Sequence, residues 1–410
     1  MTKENVPLYI KIIEEYKSKI GTGELKPDER LPSEIEVAKC YGVSRITSKR
    51  AFDELERERF IYRVKGRGSF VANLKISDIS TNNKSLSKVI DIVLPFDSSH
   101  GRSIDIIRGA NNFLQKNNYL LNIQNSHHSS AKEREILLNL YKTGVSGVIY
   151  YPISSSNSCI DLIQMLTMQN FPIVTVDKYY DGLPVTSIVA DNFKGAYEAV
   201  TYLIDKGHTK IGYISDFGLD TASSVRDRFL GYSTALRDNG LEVDYNNYFL
   251  DLKKDIEKNY PEVYEIFINR QPITKKCIEY YKRILDYLMD RPDGVTAIHT
   301  VNDYVAMYMM KTAIEIGIKV PKELSFIGFD NIEISRHLEV PLTTVEQNFF
   351  GMGQKAAELL IERINGGSSE TGKVVIPTRL IKRESVFSLI DEKNEITAQS
   401  HRTIYEANKV

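Results

Sequence analysis

The sequence predicts an α/β protein in two parts: an N-terminal winged helix-turn-helix, then a bilobed domain built on doubly wound parallel sheets. Three observations predict it. Two short helical patterns flank a glycine turn at Gly42 and lead into a basic, glycine-rich hairpin over 61–72. A polar stretch, 73–88, follows with few large apolar residues. From Val89 onward, apolar strand-like runs alternate with amphipathic helical runs, the pattern of repeated β-α-β units.

The chain's 410 residues suffice for two or three compact units and a large core. Its net charge of −1 hides an asymmetry: residues 1–72 hold 15 Lys and Arg against 12 Asp and Glu, which puts a polyanionic partner at the N-terminal end. Cys40, Cys159 and Cys277 are odd in number and far apart, which suits a reducing compartment and no disulfide framework. The N-terminus lacks an apolar signal core and no run reaches transmembrane length, so the expectation is a cytoplasmic protein with no membrane partner.

Taken in order, Val6 to Ile20 reads as a helix whose stripe is Leu8, Ile12, Ile13, Tyr16 and Ile20. Pro32 and Ser33 open a second helix with Glu34 and Glu36 in its first turn and Ile35, Val37 and Ala38 as its buried side. Gly42 ends it, and Ser44 caps a third helix that has Arg45, Thr47 and Ser48 near its start and carries Ala51, Phe52 and Leu55 inward. Small polar and basic residues at the start of such a helix suit the major groove, where Arg pairs with guanine O6 and N7. The runs 61–64 and 69–72 bracket Lys65-Gly66-Arg67-Gly68, a hairpin tip whose glycines allow close approach and whose cations favour phosphate or a narrow minor groove.

Residues 6–72 resemble the GntR family throughout, in "PLYIKIIEEYKSKI", "GELKPDERLPSEIEVAKCYGVSRITSKRAFDEL" and "IYRVKGRGSFV". The resemblance implies DNA contacts from Ser44, Arg45, Thr47 and Lys49 on the recognition helix and from Lys65, Gly66 and Arg67 on the wing. Ser33 and Glu34, at the exposed start of the preceding helix, join that set. Ile35 stands where some members carry a base-reading Arg.

Beyond the linker, strands are expected at "VIDIVLPF", "YLLNIQN", "VSGVIYYP" and "FPIVTVD", with Ile104, Ile107, Ala110 and Leu114 turned inward from the first helix. A second series starting near Ser187 would build a second lobe, with an irregular polar stretch over 251–276. Ligands of such sheets bind beyond the carboxyl ends of the strands. Residues 89 to about 388 are similar to the LacI/GalR effector domain, whose fold is that of periplasmic sugar-binding proteins. The similarity is carried by "VTVD", "GHTKIGYI", "RDRFLGY", "TVND", "IGFDN" and "PLTTVEQN" in that order. A GntR head on such a domain resembles the arabinose-repressor subgroup. The implied organisation is a DNA-binding domain at 1–72, a linker at 73–88, a sugar-sensing and dimerisation domain at 89–390 and a polar tail at 391–410.

Binding a sugar needs planar charged groups that engage two hydroxyls at once, beside an aromatic face. The resemblance implies ligand contacts from Arg228, Asn302, Asp330, Asp177 and Gln347. His100 and Arg102, after the first strand, and Tyr151 are the first-lobe candidates; Tyr150 and Phe217 are further aromatics that serve equally as core. Asp303 is expected to cap the helix after "TVN". His127-His128 lacks a third ligand at metal-binding spacing, and no nucleophile-elbow, Walker or zinc-protease motif occurs, so neither a metal, a cofactor nor an enzyme is expected. The expected function is a sugar-responsive repressor: a homodimer on a palindromic operator, released by ligand. A ligand-dependent activator, a corepressor-type regulator or a sugar-binding protein without DNA regulation are the alternatives.

Overall fold

The computed structural model describes residues 7–21, 24–57, 60–64, 66–72, 88–95, 101–154, 159–268, 272–367 and 371–390. The linker, apart from Lys88, and the tail 391–410 lie outside them. The chain divides into two compact units, residues 1–87 with 137–145 and 159–171, and the remainder.

In the first unit, α1 (Leu8–Gly21), α2 (Glu34–Cys40) and α3 (Arg45–Arg57) precede the hairpin β1 (Ile61–Val64) and β2 (Gly68–Val71). Ile12, Tyr16, Val37, Ala51, Phe52, Leu55, Ile61 and Val71 share one core. The Ser33 side chain accepts from Glu36 N–H while Glu36 accepts from Ser33 N–H, a reciprocal cap worth about 1 kcal/mol. Gly42 turns the chain at φ +62°, and buried Ser48 donates to the Glu34 carbonyl at 2.7 Å, fixing α3 against α2. The antiparallel hairpin gains a further partner on the β2 side, where Leu31 N–H reaches Ser69 O and Val71 N–H reaches Glu29 O.

The second part holds β3 (Val89–Leu94), α4 (Gly101–Lys116), β4 (Leu120–Asn125), α5 (Ser130–Thr143), β5 (Gly147–Tyr150), α6 (Ile160–Met168), β6 (Ile173–Val176) and β7 (Thr186–Ala190). Then come α7 (Asn192–Asp205), β8 (Ile211–Ile214), α8 (Ser223–Asp238), β9 (Tyr248–Phe249), α9 (Leu252–Asn259), α10 (Pro261–Ile268), α11 (Lys275–Met289), β10 (Ala297–Thr300) and α12 (Asp303–Glu315). Last are β11 (Ser325–Asp330), β12 (Thr343–Gln347), α13 (Phe349–Ile364), β13 (Lys373–Ile376) and β14 (Thr378–Ile381). One sheet runs β13-β7-β6-β5-β3-β4, all parallel; the other runs β14-β12-β11-β10-β8-β9, parallel except for β14 against β12. Short strands buried along their whole length, such as 147–150 and 173–176, are what a sheet covered on both faces requires.

Sheet membership departs from chain order. The run "SIVA", expected to open the second lobe, is β7 of the first sheet, and α13 and β13 return to that lobe. The chain therefore crosses between lobes at Asp191, Asn348 and Pro377. Two crossings are tied together: Asp191 N–H donates to Ile376 O, and the Thr378 hydroxyl donates to Asp191 O. Alternation of strands and helices says nothing of which sheet a strand joins, so this was invisible in the periodicity. The α4–α13 contact is tighter than apolar patterning suggests: a Cβ on Gly109 would fall 2.0 Å from Phe350 O, and one on Gly353 2.1 Å from Ile106 O.

Other expectations are corrected. Ile35 and Ile104 are 48% and 39% exposed; each lies two residues from an inward neighbour, Val37 or Ile106, and helix positions two apart point about 200° away from each other. Leu8, first in α1, is also exposed. The stretch 251–276 is not irregular: it holds α9 and α10, whose Leu252, Ile256 and Val263 enter the second lobe's core. Residues 385–390 are fastened to that lobe through Phe387 N–H to Ser325 Oγ and Leu389 N–H to Lys206 O.

Candidate functional site

On the head, Ser44 Oγ accepts from Thr47 N–H at 3.2 Å and lies 2.9 Å from the Thr47 hydroxyl, so the two are one capping unit at the start of α3. Arg45 and Lys49, one turn apart, are exposed, as are Gly66 and Arg67 at the hairpin tip. Lys65 lies outside the described residues. Ser33 is engaged in its cap, and Glu34 pairs with Arg63 of β1 at 2.8 Å; both have partners inside the head. Ile46, which the motif reading passed over, is 81% exposed between Arg45 and Thr47 and is suited to a thymine methyl.

In the second unit, strand ends of both lobes converge. Asp330, at the end of β11, is 2% exposed and receives Arg102 Nη1 at 3.0 Å, Gln347 Nε2 at 2.5 Å and, as an ion pair, Arg228 Nη2 at 3.4 Å. Arg102 comes from α4 of the first lobe, so this carboxylate joins the two. Asp330 sits at φ +114° and Asp177, at the end of β6, at φ +73°; such strain in non-glycine residues persists where surroundings over-determine it. Arg228 Nε donates to Asn192 Oδ1 at 2.8 Å and Nη1 to Val301 O at 2.5 Å, while its guanidinium stacks on Phe329 at 3.9 Å. Asn302 caps α12 through Val305 N–H, correcting the expectation for Asp303, and its amide donates to both Asp216 oxygens at 3.1 Å. Asp303 is instead buried, taking Ile332 N–H and the Thr344 hydroxyl.

Asp177 contacts Lys178 Nζ at 3.0 Å and Ser224 Oγ at 3.5 Å. Burial pushes the Lys178 ammonium down, with Asp177 pulling the other way; burial works against the Asp177 charge too, yet Lys178 and Arg228 hold its carboxyl below the usual range. Lys178 also lies 4.5 Å from the Tyr151 ring, and burial and then Asp177 push that phenol up. Tyr150 is core, and Phe217 is half-buried against the second lobe. His100 lies outside the described residues. Further along the same seam, Tyr179 donates to Asp227 Oδ1 and accepts from Arg226 Nη2, both at 3.0 Å, and its N–H donates to Ser223 Oγ. Lys178, Asn192, Asp216, Ser224 and Phe329 were missed from sequence; only their adjacency to Asp177, Arg228 and Asp330 signalled them. The arrangement offers fixed carboxylates and a guanidinium fork. Among the described residues no group of three metal-ligating side chains is clustered, and no helix is long and apolar enough to cross a membrane.

Comparisons with known proteins match both parts. Residues 8–71 match the bacterial regulatory proteins of the gntR family, and residues 200–386 the periplasmic binding protein-like domain. The arabinose metabolism transcriptional repressor of Geobacillus stearothermophilus is 28% identical over 389 residues, covering 94% of this chain and 99% of that protein. The HTH-type transcriptional repressor PurR of Photobacterium profundum is 30% identical over 287 residues, 70% of this chain and 77% of that protein. A LacI family transcriptional regulator from Enterococcus faecium, solved with bound ribose, shares the fold with TM-score 0.58 at 24% identity, over 73% of this chain and 99% of that one.

Proposed function

The chain belongs to the HTH-type transcriptional repressors, joining a gntR-family DNA-binding head to a periplasmic binding protein-like domain, and from that premise we propose that it represses genes of carbohydrate use and is released by a neutral sugar. The observation that carries the ligand class is the Asp330 cluster: one carboxylate and two guanidinium groups, drawn from both lobes. Vicinal hydroxyls replace such partners in pairs. The name of the Geobacillus relative, matched over nearly its whole length, makes arabinose the first sugar to try. Arg228, Asp330, Asn302, Gln347, Asp177, Arg102 and Tyr151 hold the sugar; Ser44, Arg45, Thr47, Lys49, Gly66 and Arg67 meet DNA. Residues 1–72 are the DNA-binding domain and 89–390 the effector and dimerisation domain.

The protein acts in the cytoplasm as a homodimer on a palindromic operator, two-fold symmetry matching two half-sites. Sugar shifts the angle between lobes and lowers operator affinity, a coupling of about 1–3 kcal/mol. Arg228→Ala tests this in a gel shift. Operator retention is expected to persist while arabinose, or whichever pentose or hexose releases the wild type, no longer does so. Release of the variant at the wild-type sugar concentration overturns the site.

A further inference from the structure

Arg63 in the gntR-type head is a cation that the proposed DNA contacts do not use. Arg63, on β1, donates Nη2 to Glu34 Oε1 at 2.8 Å and Nη1 to Asp53 Oδ1 at 2.6 Å and Glu56 Oε2 at 2.8 Å. Glu34 opens α2, and Asp53 and Glu56 lie one turn apart on α3, so a single guanidinium ties the wing to both helices of the reading motif. Three carboxylates on one cation leave a surplus of negative charge on a module that must approach phosphates. That surplus opposes DNA binding, so the network must contribute something else that offsets it. The hairpin shows what. Its β2 side is fastened by backbone bonds to residues 28–31. On the β1 side, Ile61 packs in the core and Arg63 bonds to both helices of the reading motif.

We infer that Arg63 is a positioning residue for DNA recognition: through Glu34, Asp53 and Glu56 it fixes the wing tip, Gly66-Arg67, at the spacing from Arg45 and Lys49 that lets helix and wing engage one duplex together. Glu34 then acts through Arg63 and not on a base. An arginine fork is required, because an ammonium is a point charge that cannot hold three carboxylates in one plane.

The inference rests on the DNA-contact reading above, and the test separates the two. The full chain is footprinted on a duplex that the wild type selects from a random-sequence library, with dimethyl sulfate reporting major-groove guanines and hydroxyl radical reporting the flanking minor groove. Arg63→Met and Arg63→Lys are both expected to lose the flanking protection, keep the guanine protection and bind roughly tenfold more weakly. Glu34→Gln is expected to weaken the flanks without changing base preference. Wild-type flanking protection in Arg63→Lys overturns the positioning role and leaves charge alone, and altered preference at one base in Glu34→Gln overturns it in favour of direct readout. If Arg63→Met lowers the head's melting temperature below that of the assay, Glu34→Gln and the Asp53→Asn/Glu56→Gln pair carry the same comparison, with retained flanking protection counting against the inference. A wild type that protects neither groove fails earlier, at the DNA contacts themselves.

Discussion

Arg45 and Lys49 stand on open helix surface, and neither joins an ion pair among the described residues. Arg228 and Asp330 are 5% and 2% exposed and hold one another. The contrast follows from what each surface meets. A duplex brings a dense row of phosphates with their own counterions, so the head needs only exposed cations at the right spacing. A small neutral ligand must be engulfed, and charges taken out of water for that purpose need partners of their own. In the head, then, Arg45 and Lys49 are separable from folding; in the cleft Arg228 and Asp330 are part of it.

The sharpest way to break this contrast is Asp330→Ala. It takes the carboxylate partner from the Arg102 and Arg228 guanidinium groups and from the Gln347 amide, and breaking a buried pair in this way costs about 3–5 kcal/mol. Chemical denaturation of the second unit is expected to show that loss together with loss of sugar response. A variant as stable as the wild type sinks the claim that the cleft's charges stabilise one another.

Acid divides the two regions next. Burial, with repulsion from Arg228 added, holds the His299 imidazole neutral down to about 4. The unfolded value is about 6.5, so the folded value is the lower one; the stabilisation is complete above pH 6.5 and is lost as pH falls toward 4, by about 3 kcal/mol. None of the seven histidines lies within 1–72, so no histidine gives the head a matching window. Melting curves between pH 7 and 4 on wild type and His299→Gln check this: the variant's curve is expected to flatten. An equal slope in both removes His299 as the cause.

Arg45→Ala probes the head from the other side. Operator affinity is expected to fall by about 1–3 kcal/mol with relaxed preference at one base, while stability changes by no more than about 0.5 kcal/mol. A footprint and base preference identical to wild type would take Arg45 out of base readout.

The same contrast explains what could be read in advance. The head's proposed contacts are local in sequence: cap, turn, helix start and hairpin tip fall within 33–68, so spacing marked a winged helix-turn-helix and the resemblance then pointed to Ser44, Arg45, Thr47 and Gly66. Strand and helix periodicity also located the parallel sheets. The cleft was legible only through resemblance, because Arg102 and Asp330 are 228 residues apart and meet through crossings at Asp191, Asn348 and Pro377 that no periodicity marks. Glu34 and Asn302 show the finer limit. Each residue type fits two jobs, and only the position of Arg63 or of Val305 N–H decides between them.

Tyr179 lies between the two cases, half-buried and paired, and it tests where the cleft's interdependence ends. Its hydroxyl links the loop after β6 to Asp227 and Arg226 on α8, and Lys373 lies 4.4 Å from its ring. Burial pushes the Asp227 carboxyl up while the Tyr179 hydroxyl draws it down, so the phenol favours the charged form that Arg226 also faces. Tyr179→Phe keeps the ring and removes both bonds, about 1 kcal/mol of attachment between the lobes. If sugar acts by holding the lobes together, the sugar needed for half-release should rise about fivefold, with operator affinity in its absence unchanged. The helix and sheet cores are untouched, so the melting temperature should scarcely move. An unaltered release curve places Tyr179 outside the closing motion, and the stabilising pairs would then end at Asp177.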